Sequence, residues 1–104
     1  MKIWIDDVRQ PPRWELGTDE WYWAISVNQA INAIKYFEKW FRVELIDIDH
    51  DAGDYANEGG DYIKVLDWLE ETGRNYPIRI HSMNPVGVEN MRRIIQRNGW
   101  TEVK

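Results

Sequence analysis

Apolar positions along the chain alternate between two periods. "KIWI" (2–5) is a short apolar run closed by Asp6-Asp7, and it predicts a first, buried strand. "WYWAI" (21–25) predicts a second strand, rich in aromatics. The period then changes. Ser26 with Gln29 three positions on makes a capping-box pattern. Val27, Ala30, Ile31, Ile34, Phe37 and Phe41 follow at helical spacing. "VELIDID" (43–49) predicts a third strand, and a helix is expected over 61–72, with Ile63, Leu66 and Leu69 on one face and Gly73 just past its end. "PIRIH" (77–81) predicts a fourth strand. Asn84-Pro85 places an N-cap before a proline at the first helical position. Val88, Met91, Ile94 and Ile95 supply that helix's apolar face, and Asn98-Gly99 ends it. "WTEVK" (100–104) is a candidate fifth strand.

The connections read differently. "RQPPRWELGTDE" (9–20), with two prolines and a glycine, predicts coil, and "AGDYANEGG" (52–60) a loop of small and polar residues. Strands separated by helices imply right-handed crossovers and a mostly parallel sheet. The expected fold is one α/β domain over residues 1–104. It is three-layer and flavodoxin-like, with strand order 2-1-3-4-5 and coil in place of the first crossover helix.

Ligands of open parallel sheets bind beyond the carboxyl ends of the strands, where strand order reverses. Here that point lies between strands one and three. Asp6-Asp7 and Arg9 end the first strand, Asp49-His50-Asp51 the third, and His81-Ser82 with Asn84 the fourth. Both histidines of the chain fall in this group. Asp47 is assigned to a hydrogen bond near the sheet end and left outside the site.

Composition narrows the chemistry. With no cysteine, thiolate metal sites and disulfides are excluded. Clustered carboxylates repel unless a divalent cation joins them or one keeps its proton. Oxygen ligands favour a hard cation such as Mg²⁺, through Asp6, Asp7 and Asp49. The histidines, with ordinary pKa near 6.5, suit acid–base work close to neutrality. His50 and His81 are therefore the candidate acid–base pair, with Asp51 orienting one of them. Arg9, Ser82, Asn84 and the helix N-terminus at Pro85 suit the oxygens of a phosphate. The net charge of −5 argues against binding to duplex DNA. "MKIWIDDVRQ" lacks the apolar core of a signal peptide, and no apolar run has the length of a membrane span; a cytoplasmic location is expected. The seven tryptophans are read as packing surface rather than as a platform for stacked bases.

The same residues carry a resemblance. "IWIDDVRQPP", "IDIDHDAG", "GDYIKVLDWLEE" and "IRIHSMNPVGVENM" resemble the cyclic-phosphate processing receiver-like domain, a variant of the response-regulator receiver fold. The resemblance spans residues 2–95 through "DDxRxP", "DHDxG" and "HSxNPxG". It implies a metal-binding acidic pocket at Asp6, Asp7 and Asp49, with Ser82 in the place of the receiver's small hydroxyl residue. His50, Asp51, His81 and Asn84 match the variant family's own motifs. Ala52 stands where the family commonly has leucine, and Lys104 is the one candidate for the receiver's lysine. That departure and the missing first helix weigh against a phosphoaccepting switch.

Two functions are thus expected to compete, ahead of a phosphoaccepting receiver that signals to a partner. One is metal-dependent hydrolysis of a cyclic phosphate on a nucleotide or RNA end. The other is a module that binds or sequesters a nucleotide without turnover.

Overall fold

The computed structural model describes residues 1–14 and 20–104. Residues 15–19, the middle of the expected coil, lie outside the described residues. Four strands form one parallel sheet: β1 (Lys2–Ile5), β2 (Trp21–Ala24), β3 (Leu45–Ile48) and β4 (Ile78–Ile80), in the order β2-β1-β3-β4. β1 therefore lies inside the sheet beside β3, as the strand-order argument requires. The candidate fifth strand is reduced, among the described residues, to a single parallel bridge between Ile78 and Glu102. Thr101 and Glu102 present no apolar surface that a longer ladder would bury.

Each helix starts where the sequence offers a cap. Helix α1 (Val27–Trp40) begins after Ser26, whose Oγ accepts from the Gln29 amide at 3.1 Å. The Gln29 side chain accepts from Ile25 N, one residue before the cap, rather than from Ser26 as a strict capping box would have it. Helix α2 (Ile63–Glu71) begins two residues later than expected. Asp61 turns back to accept from Ala52 N at 3.1 Å, and buried Tyr62 donates its hydroxyl to Ile25 O. Helix α3 (Pro85–Asn98) opens with Asn84 Oδ1 accepting from Gly87 N at 3.0 Å.

The two faces of the sheet have opposite chemistry. Side chains alternate along each strand. Ile3, Ile5, Ile46, Ile48 and Ile78 point to one face and share a single core with α1, α2 and α3. Ile34, Leu66, Leu69 and Met91 complete that core, all fully buried. The intervening positions face the other way. There Trp4, Trp21 and Leu45 form a second, smaller cluster with Trp23 and Val103 packed against it, and the Trp14 ring stands edge-on to Trp23. No crossover helix covers this side among the described residues; coil and indoles fill the third layer. On the same face, register places Trp4, Asp47 and Arg79 side by side across β1, β3 and β4.

Candidate functional site

The carboxyl ends of β1, β3 and β4 bring all nine predicted site residues to one rim. A cavity of about 200 Å³ opens there, lined by Arg9, Asp49, Asp51, His81, Ser82, Met83 and Asn84. A larger hollow of about 400 Å³ lies elsewhere, along α1 between Tyr22, Gln29, Asn32, Ala33, Tyr36 and Phe37. That hollow holds no carboxylate, histidine or cation, so the chemistry belongs to the smaller one.

Asp6, Asp7 and Asp49 each offer a carboxylate oxygen within 4.8 Å of the others. Asp6 is 1% exposed, and its Oδ1 accepts from Val8 N and Arg9 N, both at 3.0 Å. Those two bonds fold the β1–β2 loop back over the strand end and bring Arg9 to the cavity. Asp7 lies higher. Burial, and then the nearby carboxylates of Asp6 and Asp49, push its carboxyl above the usual range. Gly53 is the reason it fits: its backbone runs at φ +55° directly against the Asp7 carboxylate, so a Cβ there would overlap Asp7 Oδ2. Asp49 Oδ1 accepts from His50 N at 2.7 Å.

The two histidines are held in different ways. His81 is 11% exposed in its side chain and stands between two buried carboxylates. Its Nε2 lies 2.9 Å from Asp6 Oδ2 and its Nδ1 lies 2.6 Å from Asp47 Oδ1. Its ring stacks on Trp4, with centroids 3.9 Å apart and planes 6° from parallel. Carboxylates only accept, so the ring satisfies both when each nitrogen carries a proton. The Arg79 guanidinium also reaches Asp47, at 3.3 Å.

His50 is engaged at one nitrogen. Its Nδ1 lies 2.8 Å from Asp51 Oδ1, and Asn84 Nδ2 donates to the same carboxylate at 3.3 Å. The hydrogen bond to His50, and after it that from Asn84, hold the Asp51 carboxyl below its usual range. The His50 ring lies flat against the first turn of α3, where Gly87 leaves it room; a Cβ on Gly87 would sit inside the ring's contact distance. Ser82 Oγ accepts from Asn84 N at 3.1 Å, which fixes the turn into α3.

The family model for the cyclic-phosphate processing receiver domain matches residues 1–97. The chain belongs to that family. No curated protein and no solved structure matches it. Membership associates this receiver domain with cyclic-phosphate processing, and its parallel sheet with flanking helices is the receiver-like α/β arrangement. Among the described residues of the receiver domain, no helix is long and apolar enough to cross a membrane.

The sequence reading left four residues out of the site: Asp47, Trp4 and two glycines. Asp47 is one half of the clamp on His81, and Trp4 is the surface that ring rests on. Their signal was strand period: Trp4 and Asp47 alternate to the face opposite the helices, as Asp6 and His81 do one step further on. Gly53 and Gly87 are the two glycines, since only the close approaches of Asp7 and His50 reveal why no side chain stands there. Lys104, the candidate for the receiver's lysine, is exposed and reaches Glu102 at 3.3 Å rather than the acidic cluster.

Proposed function

We propose that this receiver domain hydrolyses a cyclic phosphate on a nucleotide or RNA end, with a divalent cation at the acidic cluster. The observation that carries the reading is the His50–Asp51–Asn84 chain standing beside the three carboxylates. The donor set fits a hard cation: three oxygen-bearing side chains converge, and crowding already raises the Asp7 carboxyl. Asp7 and Asp49 would hold the ion, Asp6 supporting from below, and Mg²⁺ bound there would neutralise charge on the phosphate oxygens. Arg9, Ser82 and Asn84 orient the phosphate from the cavity wall.

His50 then handles the proton. Asp51 accepts from Nδ1 and so fixes that proton, which leaves the Nε2 lone pair free. As the water oxygen bonds to phosphorus, its proton passes to Nε2. The bond from phosphorus to one ring oxygen breaks, and that oxygen takes a proton from solvent. We assign His81 a different role from the acid–base partner expected of it. Both its nitrogens are committed to Asp6 and Asp47, so it acts as a positioning residue that holds Asp6 under the acidic cluster.

The same observation favours a second reading, a nucleotide-binding module, because only one histidine is left for proton transfer. Release of a phosphomonoester from cyclic-phosphate nucleotides, with and without Mg²⁺, separates the two. Hydrolysis that needs Mg²⁺ and is lost in Asp49→Asn supports the enzyme. Tight, Mg²⁺-dependent binding with no product after many hours establishes the module instead.

A further inference from the structure

Three apolar side chains are more exposed than any other large hydrophobic residue described: Met83 at 87%, Val8 at 81% and Val86 at 71%. Met83 lines the cavity and Val8 directly precedes its Arg9 on the β1–β2 loop, whereas Val86, in the first turn of α3, lines a separate hollow with Pro85, Glu89, Asn90 and Arg93. All three occupy open positions of "DDxRxP" and "HSxNPxG"; Met83 sits between the cavity-lining Ser82 and Asn84, and Val8 next to the cavity-lining Arg9.

Size gives the rim a purpose. The cavity holds about 200 Å³. Sites that enclose a drug-sized ligand run to about 300–1,000 Å³. The polar lining of Arg9, Asp49, Asp51, Ser82 and Asn84 suits a phosphate and the sugar edge attached to it. A nucleotide anchored there must leave its base outside, over the mouth, where Met83 stands in the wall and Val8 precedes Arg9. Methionine is suited to that contact, since its thioether packs against aromatic rings and adapts to their shape.

We infer that Met83 and Val8 form an apolar seat for the base of a nucleotide whose phosphate lies in the cavity, and that this seat favours nucleotides over base-free sugar phosphates without selecting among bases. Neither side chain carries a hydrogen-bond donor or acceptor able to read a base edge, so the four common bases bind alike. The inference rests on the proposed phosphate site, and the experiment separates the two.

Affinities are measured by calorimetry, with Mg²⁺ present, for four nucleoside 2′,3′-cyclic phosphates and for the base-free ribose cyclic phosphate. The receiver domain, Met83→Ser and Val8→Ser are compared; both side chains are exposed, so folding is not at stake. The expected result is a gap of about tenfold or more between nucleotide and base-free ligand, with the four bases within about fivefold of one another. Met83→Ser narrows that gap about two- to tenfold, the range of a sulfur–aromatic contact. Base-free phosphate binding as tightly as nucleotides overturns the seat and leaves the phosphate site standing. A gap that neither substitution moves, or one base preferred by more than about tenfold, also overturns it. If no phosphate binds at all, the phosphate site and the seat fall together.

Discussion

Replacing His81 by alanine tests whether this histidine works as an acid–base group or as a buried clamp. The clamp reading follows from three contacts: Asp6 at 2.9 Å, Asp47 at 2.6 Å, and the Trp4 ring at 3.9 Å. Both carboxylates are 1% exposed, so water cannot take the place of the imidazole without the local structure opening. Removing one partner of a buried ion pair costs about 3–5 kcal/mol, because the other is left uncompensated. Arg79 stays on Asp47 and relieves part of that cost, while lost stacking on Trp4 adds about 0.5–1.5 kcal/mol. The expected loss is therefore about 3–5 kcal/mol, a large share of the roughly 5–15 kcal/mol that a domain has. Urea unfolding followed by tryptophan fluorescence measures it. With a slope of about 1–1.5 kcal/mol/M, the midpoint drops by about 2–5 M. Asp51→Ala is the control: its side chain is 60% exposed, and an exposed pair is worth about 0.2–1 kcal/mol. If His81→Ala unfolds within 1 kcal/mol of the unsubstituted protein yet loses turnover, the clamp reasoning is wrong and His81 belongs to the chemistry.

Other outcomes follow from the same geometry. Gly53→Ala places a methyl against Asp7 and a side chain at φ +55°, so it costs at least about 1 kcal/mol and weakens Mg²⁺ binding in a calorimetric titration; unchanged affinity and stability would show that the loop yields. Asn84→Ala removes the cap of α3 and one donor to Asp51, at about 0.5–2 kcal/mol in thermal or urea unfolding, whereas Asn84→Asp keeps the cap. Glu38 pairs with Arg74 at 2.6 Å and accepts from Tyr76, and the Arg74 bond holds its carboxyl below the usual value. A depressed carboxyl adds stability above its unfolded pKa of about 4.5 and loses it as pH falls through the lower folded value. Unfolding of Glu38→Gln and the unsubstituted protein should therefore differ above pH 5 and converge in acid; a difference independent of pH would assign the effect to packing. The Tyr76 hydroxyl, pushed up to about 12 chiefly by burial, should stay protonated in a spectroscopic titration through pH 10–11.

The order of elements was legible because each carries its own local signal. Ser26 and Asn84 are caps that any reading would choose, and both accept the expected amide. The parallel sense of the sheet followed from its helical crossovers, and the order β2-β1-β3-β4 is that of the flavodoxin-like arrangement expected for it. Asp61 shows where local pattern fails. It precedes an apolar helical stretch and looks like a first-turn acid, yet its carboxylate serves Ala52 across the loop. That the candidate site residues would lie together was legible, because they fall at the carboxyl ends of strands that neighbour one another in the sheet. Their division of labour was not. The period of "IDIDHD" puts Asp47 on the face opposite Ile46 and Ile48, but nothing in it says that His81 from β4 meets Asp47 there, because that pairing spans 34 residues and depends on register.

The tryptophans tie the thin side of the sheet to the site. Where a receiver would place a helix over β1, this chain lays down indoles, and two of them hold the strand end directly. Trp4 Nε1 donates to Arg9 O at 2.7 Å, and Trp23 Nε1 donates to Asp6 O at 2.8 Å. Together with the two amides on Asp6 Oδ1, these bonds fix the backbone of residues 6–9 from below and from within. The consequence reaches the chemistry. Asp7 can approach Asp49 only if the loop cannot relax away from like charge, and a net hydrogen bond of about 0.5–1.5 kcal/mol is small beside that repulsion unless several act together. Four bonds on one four-residue segment supply that restraint. Residues 6–9, held in this way, keep the acidic cluster closed and Arg9 at the cavity wall.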